Sequence, residues 1–256
     1  MKPTVLIATT SRWFPAARLA MALARAGCTV DAVCPIRHPL EKVSTVRKTY
    51  TYRGLLALKS LADAIAAAEP EIVLPGDDLA ASHLHELYSR ELRRGQSGQP
   101  LCALIERSLG SPESFLVVYA RTAFIEMARE EDIRAPKTAA IGNLDELRKW
   151  VAQAGFPTVL KANGTSGGDG VRVVHSLEEA ERAFRTLQAP PVFLRAVKRA
   201  LVDQDKTLIW PSLLRRRYAV NAQEYVAGRE ATSAVACWQG SVLASQIGRA
   251  SCRERV

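Results

Sequence analysis

Residues 156–174, Phe156 to Val174, read FPTVLKANGTSGGDGVRVV. A short apolar, β-prone run, Thr158–Leu160, ends in a lysine, Lys161. Glycines follow at Gly164, Gly167, Gly168 and Gly170, and a second β-type run, Val171–Val174, closes the stretch. Glycine lets the main chain take positive φ and approach a ligand closely. Successive N–H groups in such a loop form an anion cradle. Strand, lysine, glycine loop and strand in that order suit a polyphosphate held from above.

Other glycine loops do not fit. A P-loop places lysine and serine or threonine directly after the last glycine and then opens a helix. Here Gly170 is followed by Val171 and a strand, and the lysine precedes the glycines. A dinucleotide fingerprint needs GxGxxG at a helix start, and a kinase loop carries its lysine on a later strand. The stretch resembles the ATP-grasp superfamily, whose glycine-rich β-hairpin folds over ATP while a strand lysine reaches the phosphates.

A second stretch supports the same resemblance. Ala219–Val226 (AVNAQEYV) alternates like a strand, and Gly228-Arg229-Glu230-Ala231 follows. EYVAGREA is similar to the hinge of carboxylate–amine ligases such as D-alanine–D-alanine ligase. The resemblance implies that Glu224 and the main chain at Tyr225 and Val226 meet the adenine edge, and that Glu230 accepts from the ribose hydroxyls. A strand edge offers the alternating C=O and N–H that adenine needs, and a carboxylate is a natural acceptor for vicinal hydroxyls. Tyr119-Ala-Arg121-Thr-Ala-Phe resembles the segment where the family usually places a second phosphate lysine; here Arg121 stands at that position. Arginine can grip phosphate as a fork.

The rest of the chain is consistent with a parallel α/β unit preceding this module. Thr4–Ala8, Thr29–Cys34 and Ile72–Leu74 are apolar strand runs, and Pro15–Arg25, Leu55–Ala68 and Leu79–Leu92 have helical spacing. Gly27 caps the first of these helices. The first turn, ATTSRWFP, lacks glycine. Thr9, Thr10 and Ser11 either donate to a ligand or cap the helix. Asp77 and Asp78 follow the strand ending near Leu74, where open parallel sheets bind ligands; the alternative role is again a helix cap. His83 and His85, two apart on a helix, point to different sides and are not a metal pair. Gly95–Pro100 reads as a polar loop, and Leu101–Leu109 and Pro112–Glu131 as helices. Lys137–Ile141 is a short strand, and Asn143-x-x-Glu146 and Ser176-x-x-Glu179 are capping boxes that open helices. Pro190–Arg217 has no clear pattern.

The expected fold class is α/β, a Rossmann-like pre-ATP-grasp domain followed by an incomplete ATP-grasp module. The expected domains are residues 1–110, then 111–190 as the first ATP-grasp lobe with the glycine hairpin, then 191–246 as the start of the second lobe. Residues 247–256, IGRASCRERV, resemble the in-frame translation of a sequencing adapter, which implies a non-native tail and a natural sequence ending near Gln246. Without that tail the formal charge of +9 falls by two to +7. The surplus suits handling of an anionic nucleotide. The Arg215–Arg217 cluster has no aromatic interleaving, so nucleic acid is not the expected partner. Five scattered cysteines without CxxC fit a reduced cytoplasm. No apolar run approaches membrane-spanning length.

The resemblance implies ATP and Mg²⁺ as cofactors, a small carboxylate substrate, and ligation through an acylphosphate. The metal ligands are expected in later strands, so residues 1–256 alone are expected not to turn over ATP. The alternatives are a non-catalytic nucleotide-binding protein and, less favoured, a nucleic-acid-binding protein.

Overall fold

The structure is a computed structural model, and it describes residues 2–12, 14–115, 117, 121–163, 170–189, 218–229 and 231–249. The chain is mixed α/β and divides into two compact units, residues 1–115 with 191–216 and residues 116–190 with 217–256.

The first unit is a four-stranded sheet of order β3-β2-β1-β4, with β1 at Thr4–Ala8, β2 at Thr29–Cys34, β3 at Val46–Thr51 and β4 at Ile72–Pro75. All its pairings are parallel. Alternation along β1 and β2 divides the core. Ile7, Val30, Ala32 and Cys34 face α1 (Pro15–Arg25), packing against Ala16 and Ala20. Leu6, Ala8, Val33 and Val73 face the other side, where α2 (Ala57–Ala68), α3 (Asp78–Leu92) and α4 (Gln99–Leu109) cover them. Helices on both faces are what a parallel sheet requires.

Three expectations need correction here. The edge strand β3 was not anticipated; it reads VRKTYT, is mostly exposed, and lacks an apolar run to betray it. Gly95–Pro100 is no open loop: Gly95–Gly98 is a 3-10 turn leading straight into α4, with Pro100 in the first helical turn, where its missing N–H costs nothing. Pro112–Glu131 is not one helix but a 3-10 turn, Pro112–Ser114, and then α5, Arg121–Glu130.

His83 and His85 diverge as their spacing predicts. The Tyr52 hydroxyl lies 3.3 Å from His83 Nδ1, and His85 stacks on Phe115 with ring centroids 3.7 Å apart. No group of three or more metal-ligating side chains occurs among the described residues. Burial pushes both imidazoles below the ordinary value of 6.5; for His83, Glu86 and Asp77 oppose the shift. The folded chain therefore binds fewer protons at these sites than the unfolded chain. Their contribution to stability is full above pH 6.5 and is lost as pH falls through the window below it. The melting temperature should drop between pH 6.5 and about 5, and less so in His85→Phe, which keeps the stack but cannot protonate. An equal drop in both proteins would exclude His85 as a contributor.

The second unit is built on a sheet of order β5-β8-β6-β7, with β5 at Thr138–Ile141, β6 at Thr158–Ala162, β7 at Val171–Val174 and β8 at Val220–Glu224. All pairings are antiparallel. The helices α6 (Leu144–Ala154) and α7 (Leu177–Gln188) cover one face over Leu160, Ala162, Val174, Val220 and Ala222. Both expected capping boxes form. Asn143 accepts from Glu146 N at 2.9 Å and Ser176 from Glu179 N at 3.2 Å. Each glutamate reaches one residue further back than the usual box, to Gly142 N and His175 N.

The hairpin β9 (Ala231–Trp238) and β10 (Ser241–Arg249) turns at Gln239-Gly240. β10 is longer than the expected Val242–Ser245; its ladder runs to Arg249↔Ala231, into the adapter-like residues. Both strands are exposed along their described length, with Trp238, Val242, Leu243 and Ile247 in solvent. No helix among the described residues is long and apolar enough to cross a membrane.

Candidate functional site

Lys161 owes its position to strand parity. Side chains alternate across a sheet, so Thr158, Leu160 and Ala162 turn towards the helices while Val159 and Lys161 turn to the opposite face. The antiparallel register sets Lys161 against Asn221 and Val159 against Gln223 on β8. Gln223 in turn faces Thr138 on β5, and its Nε2 donates to Thr138 Oγ1 at 3.1 Å. The face opposite the helices is therefore a row of amide, ammonium and hydroxyl groups around Val159.

The glycine stretch springs from this row. Ala162 N donates to Gly170 O at 2.8 Å, which closes the two strands at its base, and Asn163 N donates to Ala219 O at 2.8 Å. Gly170 is buried at the head of β7. Gly164, Gly167 and Gly168 lie outside the described residues, as does Glu230. Arg121 is the first residue of α5.

Of the residues expected at the hinge, Glu224 closes β8, which is Val220–Glu224 and shorter than the expected Ala219–Val226, and Tyr225 and Val226 follow it. Glu224 pairs with Thr158 in the register and has the parity of Val220 and Ala222, so its Cβ starts towards the helix side, away from Lys161. Its carboxylate accepts from Lys137 N at 3.4 Å, and its own N–H donates to Lys137 O at 2.9 Å. Tyr225 and Val226 continue beyond the ladder, exposed, and no strand among the described residues pairs with their main chain. The sheet thus joins Lys161 to the hinge through the rigid central strand β8, but does not converge the Lys161 and Glu224 side chains on one face. Asn163, Asn221 and Gln223 lie on the Lys161 face and were not anticipated.

The first unit disposes differently of its own candidates. Asp77 caps α3, accepting from Ala80 N at 2.9 Å. Its two oxygens also accept from Thr9 Oγ1 at 2.7 Å, Thr10 N at 2.7 Å, Thr10 Oγ1 at 2.8 Å and Ser11 N at 3.3 Å. The hydroxyls of Thr9 and Thr10 and the N–H groups of Thr10 and Ser11 are thus taken up by a carboxylate of the chain itself. Gly76 permits this close approach: a Cβ there would stand 3.3 Å from Thr9 Cβ.

Residues 120–203 match the carbamoyl-phosphate synthase L chain ATP-binding domain family. Over those residues the chain is similar to an ATP-grasp ATP-binding domain. The carbamoyl phosphate synthase large chain of Thermus thermophilus is 26% identical over 155 residues, which are 59% of this chain and 14% of that protein. The phosphoribosylamine–glycine ligase of Vibrio vulnificus is 36% identical over 70 residues, 26% of this chain and 16% of that protein. The chain therefore spans only a small part of the curated relatives it matches.

Among solved structures, the N5-carboxyaminoimidazole synthetase of Staphylococcus aureus, complexed with ADP, superposes with a TM-score of 0.60 at 11% identity. That match covers 91% of this chain and 50% of that one. The biotin carboxylase domain of the Hydrogenobacter thermophilus 2-oxoglutarate carboxylase, in complex with MgADP and bicarbonate, gives 0.58 at 14% identity. It covers 91% of this chain and 46% of that one. At these identities the likeness is one of fold.

Proposed function

We propose that this chain binds ATP on the face of its antiparallel sheet that carries Lys161, and that the protein it belongs to is an ATP-dependent carboxylate–amine ligase. The observation that supports this most is the pairing of β6 with β8. One strand carries a lysine into a glycine loop, and its direct neighbour leads into Glu224-Tyr225-Val226. In this reading Lys161 Nζ and the main chain from Gly164 to Gly170 hold phosphate oxygens, with Arg121 assisting. The main chain at Tyr225 and Val226 reads adenine beside Glu224, and Glu230 takes the ribose.

The donor chemistry fits a nucleoside triphosphate: an ammonium and N–H groups for phosphate, strand-edge main chain for a base. Magnesium, when bound, would offset the negative charge that develops in transfer; no residue of this chain is assigned to it. The relatives' ligase names support transfer of the γ-phosphoryl group to a carboxylate, giving an acylphosphate that a nucleophile opens. The carboxylate belongs to a small molecule, and a reduced cytoplasm remains the compartment this reading fits.

Calorimetric titration of the chain with ATP and GTP tests the binding step. ATP is expected to bind more tightly, because the hinge reads the adenine edge through main-chain groups of fixed donor and acceptor order. Equal affinities would remove the hinge from the site. Detectable ATP binding, without phosphate release in any longer form of the protein given carboxylates and amines, would favour a non-catalytic nucleotide-binding role.

A further inference from the structure

The side chains of Asn163 and Asn221 form a bond that the ladder alone does not require. Asn221 Nδ2 donates to Asn163 Oδ1 at 2.7 Å across a sequence separation of 58. Asn221 is 2% exposed. Its main chain sits in the middle of the sheet, set against Lys161 on β6 and Ala140 on β5. A side chain with so little room, on a strand held from both sides, is a fixed reference point.

That bond decides which way the Asn163 carboxamide faces. A carboxamide has one acceptor end and one donor end. With Oδ1 turned to Asn221, Asn163 Nδ2 and its two N–H groups turn the other way. Among the described residues Nδ2 has no acceptor. Asn163 shares the Lys161 face, because it reaches the side chain of Lys161's register partner. It is two residues from Lys161 and opens the glycine stretch.

We infer that Asn163 is a phosphate-binding residue, its Nδ2 joining Lys161 Nζ in holding the polyphosphate of the nucleotide, and that Asn221 is the positioning residue that orients it. The inference rests on the ATP-binding reading above. A neutral amide donor beside an ammonium adds direction where the lysine supplies charge. Holding it in advance by a buried partner lowers the ordering cost on binding.

Asn163→Asp separates this role from a structural one. The aspartate keeps an oxygen for Asn221 Nδ2, so the link between β8 and the base of the glycine stretch persists. It removes the donor end and sets a negative charge against phosphate. The full chain and the variant are compared by thermal melting without nucleotide and by titration with ATP, ADP and AMP. The expected result is an unchanged melting temperature, a loss of roughly tenfold or more in ATP and ADP affinity, and AMP affinity as in the wild type. Asn163→Ala, which deletes both ends of the amide without adding charge, is expected to show the same contrast at smaller size. Each variant's ADP-to-AMP ratio is internal to that protein, so a shift in melting temperature does not obscure it.

Wild-type ADP affinity in Asn163→Asp, or equal losses for ADP and AMP, would overturn the assignment of Asn163 while leaving ATP binding intact. Failure of the wild-type chain to bind ATP would overturn the underlying reading, and that result is visible without any variant.

Discussion

ATP is expected to bind Lys161→Ala more weakly than the wild-type chain by about 1.5–3 kcal/mol, the scale of a charge-assisted hydrogen bond. The loss should be specific to phosphate-bearing ligands, because Lys161 projects from the middle of the sheet near the glycine stretch, while the hinge lies three residues along β8 from its partner Asn221. Adenosine should compete equally well against both proteins. The fold should survive the substitution: Lys161 is on the face opposite the helices, and the core residues Leu160 and Ala162 on either side of it are unchanged. Titration calorimetry with ATP and adenosine measures both arms. Equal ATP affinities would take Lys161 out of the site, whatever the fold.

A second large effect is expected far from that site. Asp31 lies on β2 with its side chain at 0% exposure, and Arg47 on β3 grips it with both donors, Nε at 3.0 Å and Nη2 at 2.7 Å. The guanidinium is itself raised in pKa, first by that hydrogen bond and then by the charge of Asp31. In Arg47→Ala the Asp31 carboxylate keeps its place in the sheet with no cation beside it, which is destabilising, and the half-exposed position of Arg47 tempers the loss by letting water in. Chemical denaturation followed by a probe in the first unit should show it. Replacing both residues by valine should recover most of the loss, since it removes the buried charge together with its partner. A single variant as stable as the wild type would mean that water or another cation reaches Asp31. A double variant no better than the single one would locate the cost elsewhere.

These two cases also show what could be read from sequence and what could not. Thr4–Ala8 and Thr29–Cys34 are bounded as their composition predicts, because each is a mostly buried, mostly apolar run between turn residues; Val171–Val174, of which only Val174 is buried, is bounded by Gly170 before it and the helix cap Ser176 after it. Val46–Thr51 escaped because an exposed edge strand carries no hydrophobic signature; what holds it is pairing to β2 and the Arg47 contact, both invisible along the chain. Lys161 was legible because lysine next to a glycine-rich stretch is a local pattern. Asn163 and Asn221 were not, because their bond depends on the register of two strands far apart in sequence. Parity offered one signal: Asn221 and Gln223 are polar residues alternating with Val220 and Ala222 on a strand, which marks a second face with a task other than core packing.

The carboxylate of Asp77 has a further consequence. It meets the hydroxyls of Thr9 and Thr10 and the N–H groups of Thr10, Ser11 and Ala80, a donor set of the sort that elsewhere receives a dissolved anion. Because this occupant is tethered, its effective concentration exceeds anything a free ion reaches in solution. The first unit behaves in this respect as a protein already saturated with its own ligand. A phosphate or sulfate that needed those five donors would have to displace a carboxylate held by the chain itself.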